Sequence, residues 1–479
     1  MAKKSISRCK KRRHKKKTVS VTHVPLCALG AVIEEKQLFA PIHQQVFISQ
    51  KQLDYRPTDK RVFTMLGIVA GSESVYEINT VLRPNKTLLR AFGYRKCADQ
   101  SVIQTTINAA THINVCELSD AIDDIFQQHN CIGLCADDAQ SPSKLVTIDI
   151  DLSALPISKT AQGAEKGYVA KKKNQYTRQL ARVIIPSTQE IVTQQLYSGS
   201  TKSLAVFKEM VDSIEQSLQL KDKTKRQSIK LRLDAGFGTD KNINFALWRG
   251  YQILVKVYSW KRVNKLVKSV KHWIAVPSAA DNTPREAGWV TMPHRYGRKT
   301  VAVAVRTPTK KGTYSYSVVV STDTQASLAT IVTDYDKRSG VPESTFCQDY
   351  QGLKLRRRRK NGFVAQQVLL LLSQLAHNLV IWMKQWLSDA VVSTLMMGET
   401  QPKTKRIKQA MLTHKTLDER GIKRFLRQIL WLSGRVVFKG SRIVGIILNP
   451  LYPLIDRIII ALQAFLLPYQ ISVSLDKRE

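Results

Sequence analysis

Apolar residues recur at helical spacing over the first third of the chain. From about residue 35 to 135, stretches such as "VFTMLGIVAGSESVYEINTVL" and "SVIQTTINAATHINVCELSDAIDDIF" place apolar side chains three or four positions apart, which is the period of one helix face. The pattern predicts a helical N-terminal region over residues 31–140. A helix-turn-helix DNA reader and a plain helical scaffold fit this region equally, because no sharply defined recognition helix stands out.

The period changes to that of strands near residue 145. "KLVTIDIDLS", "RQLARVIIP" and "QEIVTQQLYSG" alternate apolar with polar residues or are rich in β-branched ones. Residues 203–220 return to helical spacing, and "IKLRLD" gives a further strand that ends at Asp234. The order βββαβ predicts an α/β fold with a mixed sheet flanked by helices.

Three further segments follow this sheet. Residues 259–330 contain "WIAVP", "TVAVAVRTP" and "TYSYSVVVST" between turns, which predicts a β-rich insertion. A core helix, not a membrane span, is predicted for "AQQVLLLLSQLAHNLVIWMKQWL", because Gln, His and Asn residues interrupt its apolar sequence. Residues 391–479 are predicted to form a basic linker and a C-terminal helical region.

Charge changes the functional picture more than hydropathy does. The chain has 75 Lys and Arg against 37 Asp and Glu, a net charge of +38, and ten of the basic residues lie in the first 17 positions. Residues 1–30 are therefore predicted to be a basic disordered arm, and nucleic acid is the favoured partner. An anionic membrane surface or a ribosome-like structural role is the alternative.

The number and spacing of the cysteines indicate the redox environment of the protein. Seven cysteines without framework spacing argue against a disulfide-stapled secreted protein. No apolar stretch of the signal-peptide kind follows the basic N-terminus. We therefore expect a reducing, cytoplasmic location.

Four acidic residues are the candidates for chemistry. Asp149 and Asp151 in "TIDID" point to one face of a strand, where two buried acids are costly without a cation or a set of donors. Asp234 ends another strand, although an Asx-type turn or helix cap would explain it alone. Glu343 lies in a helical stretch, where a solvated surface glutamate is the ordinary interpretation. Together they match the carboxylates by which two divalent ions are held for phosphoryl transfer.

The motifs around these acids resemble a known family. "DLS", "LRLDAGFG" and "YDKRSGVPE" are similar to the boxes of bacterial insertion-sequence DDE transposases, in the branch whose glutamate follows a tyrosine–arginine signature, here Tyr335 and Arg338. The likeness runs from about residue 35, through "LLRAFGYRKCADQSVIQTT", to "AQQVLLLLSQLAHNLVIW". The resemblance implies an RNase H-like catalytic domain, formed by residues 141–258 and 331–390 and interrupted by the insertion.

The resemblance also implies a site and an activity. Asp151, Asp234 and Glu343 would hold two Mg²⁺ or Mn²⁺ ions, with Asp151 preferred over Asp149 because Ser153 follows it by two residues. The implied enzyme is a cut-and-paste transposase of the bacterial cytoplasm and nucleoid, which binds terminal inverted repeats, hydrolyses phosphodiester bonds and joins the ends to target DNA. A synaptic homodimer on double-stranded DNA is implied, with neither a membrane nor a nucleotide cofactor.

Two departures from the family pattern are visible. Four residues, 339–342, separate the arginine from the glutamate where three are usual, and Tyr350 stands where a lysine is expected. Lys354 or Arg356 could take over the phosphate contact. An RNase H-like nuclease without strand transfer, or a catalytically inactive DNA-binding relic, therefore remain alternatives.

Basic and aromatic residues supply further candidates. A solvated basic face is the alternative for the basic group, and core packing is the alternative for the aromatic group. The predicted DNA contacts, besides Tyr335 and Arg338, are Lys171, Lys172, Lys173, Arg178, Lys354, Arg356 and Arg357. The candidates for stacking on a base are Trp260, Trp273 and Trp289.

Overall fold

The alternating segments form strands, and the segments of helical period form helices. The computed structural model describes residues 16–50, 54–132, 145–167, 174–278, 284–293, 296–397 and 403–476. The strands are β1 (Lys16–Val21), β2 (Val146–Pro156), β3 (Glu165–Lys166), β4 (Tyr176–Ile185), β5 (Glu190–Ser198), β6 (Ile229–Leu233), β7 (Gln252–Lys256), β8 (Ile274–Val276), β9 (Arg285–Trp289), β10 (Val301–Pro308), β11 (Tyr314–Ser321), β12 (Gly434–Lys439), β13 (Arg442–Leu448) and β14 (Ser472–Leu475).

Helices occupy both ends of the chain and cover the main sheet. They are α1 (Val24–Glu35), α2 (Ala40–Gln45), α3 (Pro57–Val69), α4 (Ile78–Val81), α5 (Lys86–Ala91), α6 (Gln100–Asn108), α7 (His112–His129), α8 (Ser203–Ser217), α9 (Lys223–Gln227), α10 (Asp240–Arg249), α11 (Trp260–Val267), α12 (Leu328–Asp336), α13 (Val341–Gln351), α14 (Phe363–Met397), α15 (Lys403–Asp418), α16 (Ile422–Phe425) and α17 (Ile455–Leu466).

The larger of two compact units, residues 39–78 and 98–382, contains the predicted sheet. Its central order is β5-β4-β2-β6-β7, with β4 antiparallel to both β5 and β2, and with β2, β6 and β7 parallel. This is the RNase H-like arrangement, and the predicted βββαβ order is confirmed. The carboxyl end of β6 therefore lies beside the middle of β2, which continues to Pro156.

The β-rich insertion continues this sheet. β11 pairs antiparallel with β7, and β10, β9 and β8 follow in turn. α12 packs on these strands through Leu328, Ile331 and Val332, which share a buried cluster with Val303 and Val319. The insertion thereby carries the chain from β7 back to α12 and α13.

Polar residues that interrupt the apolar helix α14 form hydrogen bonds with the backbone of β5. Gln367 and Asn378 accept from the backbone N–H of Leu196 (2.8 Å) and Ile191 (2.9 Å), and Gln374 donates to the carbonyl of Val192 (3.1 Å). These side chains cover the edge of β5 that has no pairing strand in the described part of the chain. By length and composition the stretch Phe363–Ser393 could cross a membrane, but its most apolar window is 94% buried within the protein, as in a core helix.

The smaller unit, residues 1–38, 79–97 and 383–479, joins the two ends of the chain. Its four-stranded sheet has the order β1-β12-β13-β14, and α1 packs on β12 and β13. The structure thus differs from the expected arm over residues 1–30, because β1 and α1 begin within it. The C-terminal region is helical as predicted but also contains three strands, whose short apolar runs are ambiguous between helix and strand when read alone.

Candidate active site

Asp151, in the middle of β2, lies beside Asp234, which directly follows the carboxyl end of β6. In the parallel register Asp149 faces Arg232 and Ile150 faces Leu233, so that the next positions along the two strands are Asp151 and Asp234. β6 ends at Leu233, where the chain turns away. Two acids separated by 82 intervening positions in sequence are thereby brought to adjacent positions.

The turn after β6 leaves the carboxylate of Asp234 available. The backbone makes the turn, since Phe237 N–H donates to the Asp234 carbonyl (3.3 Å) and Gly238 N–H to that of Ala235 (3.1 Å). The side-chain Oδ1 is buried and accepts no hydrogen bond from the described residues. A buried carboxylate oxygen without a donor is costly, so the side chain is better explained by a ligand than by the turn.

Glu343 begins the helix that reaches these acids. It lies in the first turn of α13, after Gly340 with φ +78° and Pro342 near the helix start. Glycine adopts this left-handed conformation without strain, and proline is well suited to the first helical positions. The turn at Gly340 and Pro342 accommodates the extra residue between Arg338 and Glu343. The side chain of Glu343 is exposed.

The three acids influence one another electrostatically. Burial raises the pKa of Asp151 to about 6; Arg338 opposes this, and the charges of Asp234 and Glu343 add to it. A carboxylate whose pKa is raised by like charges is stabilised by a cation. The described residues therefore present a site with an excess of negative charge.

Arg338 is the cation that reaches into this site. Its Nη2 donates to Asp151 Oδ1 and to the carbonyl of Ile150, both at 3.1 Å. Burial lowers the pKa of Arg338, but Asp151 and Asp234 more than offset it, so that the pKa is raised. Tyr335, one turn earlier, is partly buried beside the same charges.

Asp149 has a different partner. Arg232 donates from Nε and Nη2 to its two oxygens, both at 2.8 Å, and both side chains are almost fully buried. Arg232 also donates from Nη1 to the carbonyl of Asp334 (2.9 Å). Both oxygens of Asp149 are thus engaged in an internal ion pair, which leaves Asp151 as the available acid of "TIDID".

The predicted metal ligands are Asp151, Asp234 and Glu343. Among the described residues, no three His, Cys, Asp or Glu side chains are gathered closely enough to hold a metal ion as they stand. Carboxylate oxygens are nevertheless the ligands that Mg²⁺ and Mn²⁺ prefer. The buried, partnerless Asp234 Oδ1 and the raised pKa of Asp151 both fit a cation bound between the carboxylates.

Tyr350 occupies the position where a lysine is expected, and the cationic side chain of Arg356 lies over its ring. Tyr350 lies in α13, its hydroxyl is 3.3 Å from Ser153 Oγ, and the Arg356 guanidinium lies 3.8 Å from the centre of its ring. Lys354 instead pairs with Glu73 at 3.2 Å, and Arg357 also pairs with Glu73. Of the two substitutes considered from sequence, Arg356 is the one beside Tyr350.

One predicted DNA contact is corrected by the structure. Arg178 is fully buried and donates to the carbonyls of Gln162, Lys360 and Asn361 at 2.6–3.0 Å, with its guanidinium over the Phe363 ring. It therefore ties β4 to the loop before α14 and cannot reach a phosphate. The neighbouring candidates Lys171, Lys172 and Lys173 lie outside the described residues.

The three tryptophans differ in how much ring they expose. Trp260, at the first position of α11, is 71% exposed, and Trp289, at the end of β9, is 45% exposed. Trp273 is half-buried, with the Arg306 guanidinium 4.5 Å from its ring centre and Tyr316 packed at 6.2 Å. Trp260 and Trp289 have more free surface for stacking than Trp273.

Two features of the site were not found from sequence. Lys256, at the end of β7, is mostly buried near Asp234, and burial lowers its pKa. Behind Glu343, Asp349 on α13 forms an ion pair with Arg182 (2.7 Å) and lies 2.7 Å from His377 Nδ1. The parallel placement of β6 and β7 could have indicated Lys256, but nothing in the sequence indicates the partners of Asp349.

Comparisons with known proteins bear on the family of the chain. A family model described as "Transposase DDE domain group 1" matches residues 49–408. A solved structure of the piggyBac transposase synaptic complex with hairpin DNA is similar at 14% identity and a TM-score of 0.41, over 86% of each chain. No curated protein matches the chain. Since the family model covers most of the sequence, the chain belongs to the transposase DDE domain group 1 family.

Proposed function

We propose that the chain is a cut-and-paste DNA transposase that binds the inverted repeats of its own element, cleaves phosphodiester bonds there and joins the freed 3′-hydroxyls to target DNA. The observation that carries the proposal is the register of β2 and β6, which puts Asp151 and Asp234 at the next adjacent positions, with the buried Asp234 Oδ1 unpartnered and Glu343 close enough to raise the pKa of Asp151.

In this proposal Asp151, Asp234 and Glu343 hold two Mg²⁺ or Mn²⁺ ions. When bound, such ions supply activation of the attacking water or 3′-hydroxyl and neutralisation of the leaving oxygen. Asp149 is excluded from the ligand set because Arg232 engages both of its oxygens.

The chain's own cations attract and orient the DNA backbone. Arg338 and Lys256 place two positive charges beside the carboxylates, where they would draw in a phosphodiester and offset its charge. Arg356, which lies over the ring of Tyr350, is proposed to make the phosphate contact expected of the family's lysine. Trp260 and Trp289 offer exposed rings on which a displaced base could stack.

The partners follow from the same proposal. Two element ends must be joined in one reaction, so a homodimer that holds both on double-stranded DNA is proposed. The proposed location is the bacterial cytoplasm, at the nucleoid.

The test uses the full chain with labelled DNA that carries the ends of the element, identified from inverted repeats flanking its gene. Mg²⁺-dependent nicking followed by a joined product supports the transposase. Asp234→Asn and Glu343→Gln should each lower cleavage by at least about a thousandfold while DNA binding is retained. Cleavage without joined product would indicate a nuclease, and binding without cleavage would indicate an inactive relic.

A further inference from the structure

The sheet of the smaller unit has one buried face and one open face. Val436, Phe438, Ile446 and Leu448 are buried, and α1 and α17 pack against these strands. The alternate residues point the other way. On that face the exposed residues are Lys16, Thr18, Ser20, Lys439, Arg442, Ser472 and Ser474.

Three cations form a row across this open face. Lys16 on β1 lies directly opposite Lys439 on β12, and Lys439 lies directly opposite Arg442 on β13. Like charges in directly opposite positions of a sheet destabilise it. Neither lysine has an acidic partner among the described residues. Arg442 lies 3.9 Å from the carboxylate of Glu35 and donates to the carbonyl of Tyr469 (3.2 Å). An anion bound across the strands would relieve the repulsion.

A fourth cation is held at the end of this row. Arg90 donates from Nη2 to the carbonyl of Gly440 (2.6 Å), and its guanidinium lies 4.5 Å from the centre of the buried Phe438 ring. Gly440, with φ +63°, forms the turn between Lys439 and Arg442. The turn that presents the row is therefore fixed from behind, which lowers the entropy cost of ordering it on a ligand.

The sequence adds charge at the same point. Lys16, where β1 begins, directly follows residues 1–15, eight of which are Lys or Arg. The row and this segment are continuous in the chain.

We propose that the open face of the β1-β12-β13-β14 sheet binds the phosphate backbone of double-stranded DNA, with Lys16, Lys439 and Arg442 as the contacts. This inference rests on the proposed function and adds a DNA-binding surface in the smaller unit. Serine and threonine hydroxyls beside the cations are suited to phosphate oxygens. The face lacks large exposed apolar side chains among its described residues, whereas binding to a membrane surface depends on them.

The test measures the affinity of the full chain for a labelled random duplex of about 30 base pairs, without divalent metal, over a range of salt concentrations. The variant is the triple change Lys16→Gln, Lys439→Gln and Arg442→Gln. The matched control is Lys221→Gln, Lys223→Gln and Lys225→Gln, which removes the same charge from exposed positions at α9.

The slope of log affinity against log salt should fall by about 2 to 3 in the triple variant, with at least about tenfold weaker binding, and the control should change much less. The melting temperature without DNA should be unchanged or higher, because repulsion is removed. A triple variant that keeps the wild-type slope and affinity, or a control that loses as much, would overturn the proposal.

Two further readouts separate the alternatives. If the triple variant lost binding to phosphatidylserine vesicles but bound the duplex as the wild type does, the proposal would be overturned in favour of a membrane surface. Unchanged duplex binding by the triple variant, in an enzyme that still cleaves and joins element ends, would reject this surface and leave the proposed function intact. A reduced slope in a protein that never cleaves would support the surface and reject the function.

Discussion

Arg232 donates two parallel hydrogen bonds of 2.8 Å to the two oxygens of Asp149, two residues before Asp151 on the same strand. Two acids on one strand face thus have separate roles. One is paired with an arginine inside the protein, and the other stands beside Asp234.

The first prediction separates these roles. Asp149→Asn should lower the free energy of unfolding by about 3 to 5 kcal/mol, because Arg232 would become a buried charge without its partner. Asp151→Asn should change it by less than about 1 kcal/mol and abolish cleavage. Denaturant unfolding and DNA cleavage are the two measurements. If Asp149→Asn instead lost activity with full stability, Asp149 would be the metal ligand.

The second prediction concerns the helix that carries Glu343. Asp349 lies on the same helix, and although burial opposes it, His377 and Arg182 hold the pKa of Asp349 below its usual range. Asp349→Asn should destabilise the protein by about 3 to 5 kcal/mol and lower cleavage, because Glu343 would no longer be held in place. Glu343→Gln is the matched control, with activity lost and the unfolding midpoint retained. Equal midpoints for both variants would contradict the prediction.

The third prediction is a pH dependence of stability. Burial raises the pKa of Asp123 to about 7, while a hydrogen bond of 2.8 Å from Ser217 opposes the shift. Since this pKa exceeds the unfolded value of about 3.9, the stability contributed by Asp123 is full below about pH 4 and is lost as the pH rises through 7.

Asp123→Asn should therefore gain stability over the wild type above pH 7, by up to about 4 kcal/mol, with the gain vanishing near pH 4. Urea unfolding at several pH values measures it. Asp120→Asn, an exposed position on the same helix, is the control and should show little of this trend. A gain that does not vary with pH would exclude the explanation.

The fourth prediction tests the substitute for the missing lysine. Arg356→Gln should lower cleavage by about 10- to 100-fold, because a charge-assisted phosphate contact would be lost. Lys354→Gln should have a smaller effect, since Lys354 is paired with Glu73. Adding Tyr350→Lys to Arg356→Gln should restore part of the activity. Full activity of Arg356→Gln would show that Arg356 does not contact the phosphate.

The fifth prediction concerns the glycines after Asp234. A Cβ on Gly238 would lie 1.8 Å from the Lys256 carbonyl oxygen, whereas one on Gly236 would meet Ser203 Oγ at 3.0 Å. Gly238→Ala should lower the free energy of unfolding by about 1 to 3 kcal/mol, and Gly236→Ala by less. Thermal unfolding of the two variants compares them directly. Gly238 therefore serves the close approach of the turn to β7.

Much of the fold could be predicted from local pattern. The period-two alternation of β2, β4 and β5 and the helical period of α8 gave the βββαβ order, because each element must bury one face. The acids of "TIDID", "LRLD" and "VPE" could also be predicted as candidates from local sequence. Each lies where a buried or regular segment meets polar residues.

The partners of individual side chains could not be predicted, because they come from distant segments. The sequence predicts that Arg178 contacts DNA, whereas in the structure it donates to three carbonyl groups, two of them some 180 residues away in sequence. Likewise β1 lies within the predicted basic arm, and its pairing could not be predicted because its antiparallel partner β12 lies more than 400 residues further on.

The sequence by itself determined the sheet, the insertion and the family of this protein, because hydrophobic periodicity and the motifs around three acids are local properties. Only the tertiary structure decided which acid has both oxygens engaged in an internal ion pair. Asp149 and Asp151 share a strand face, and their difference arises from Arg232 and Asp234 on the neighbouring strand. Strand register places the arginine opposite the first acid and the unpartnered carboxylate beside the second, and register is set by the packing of the whole sheet.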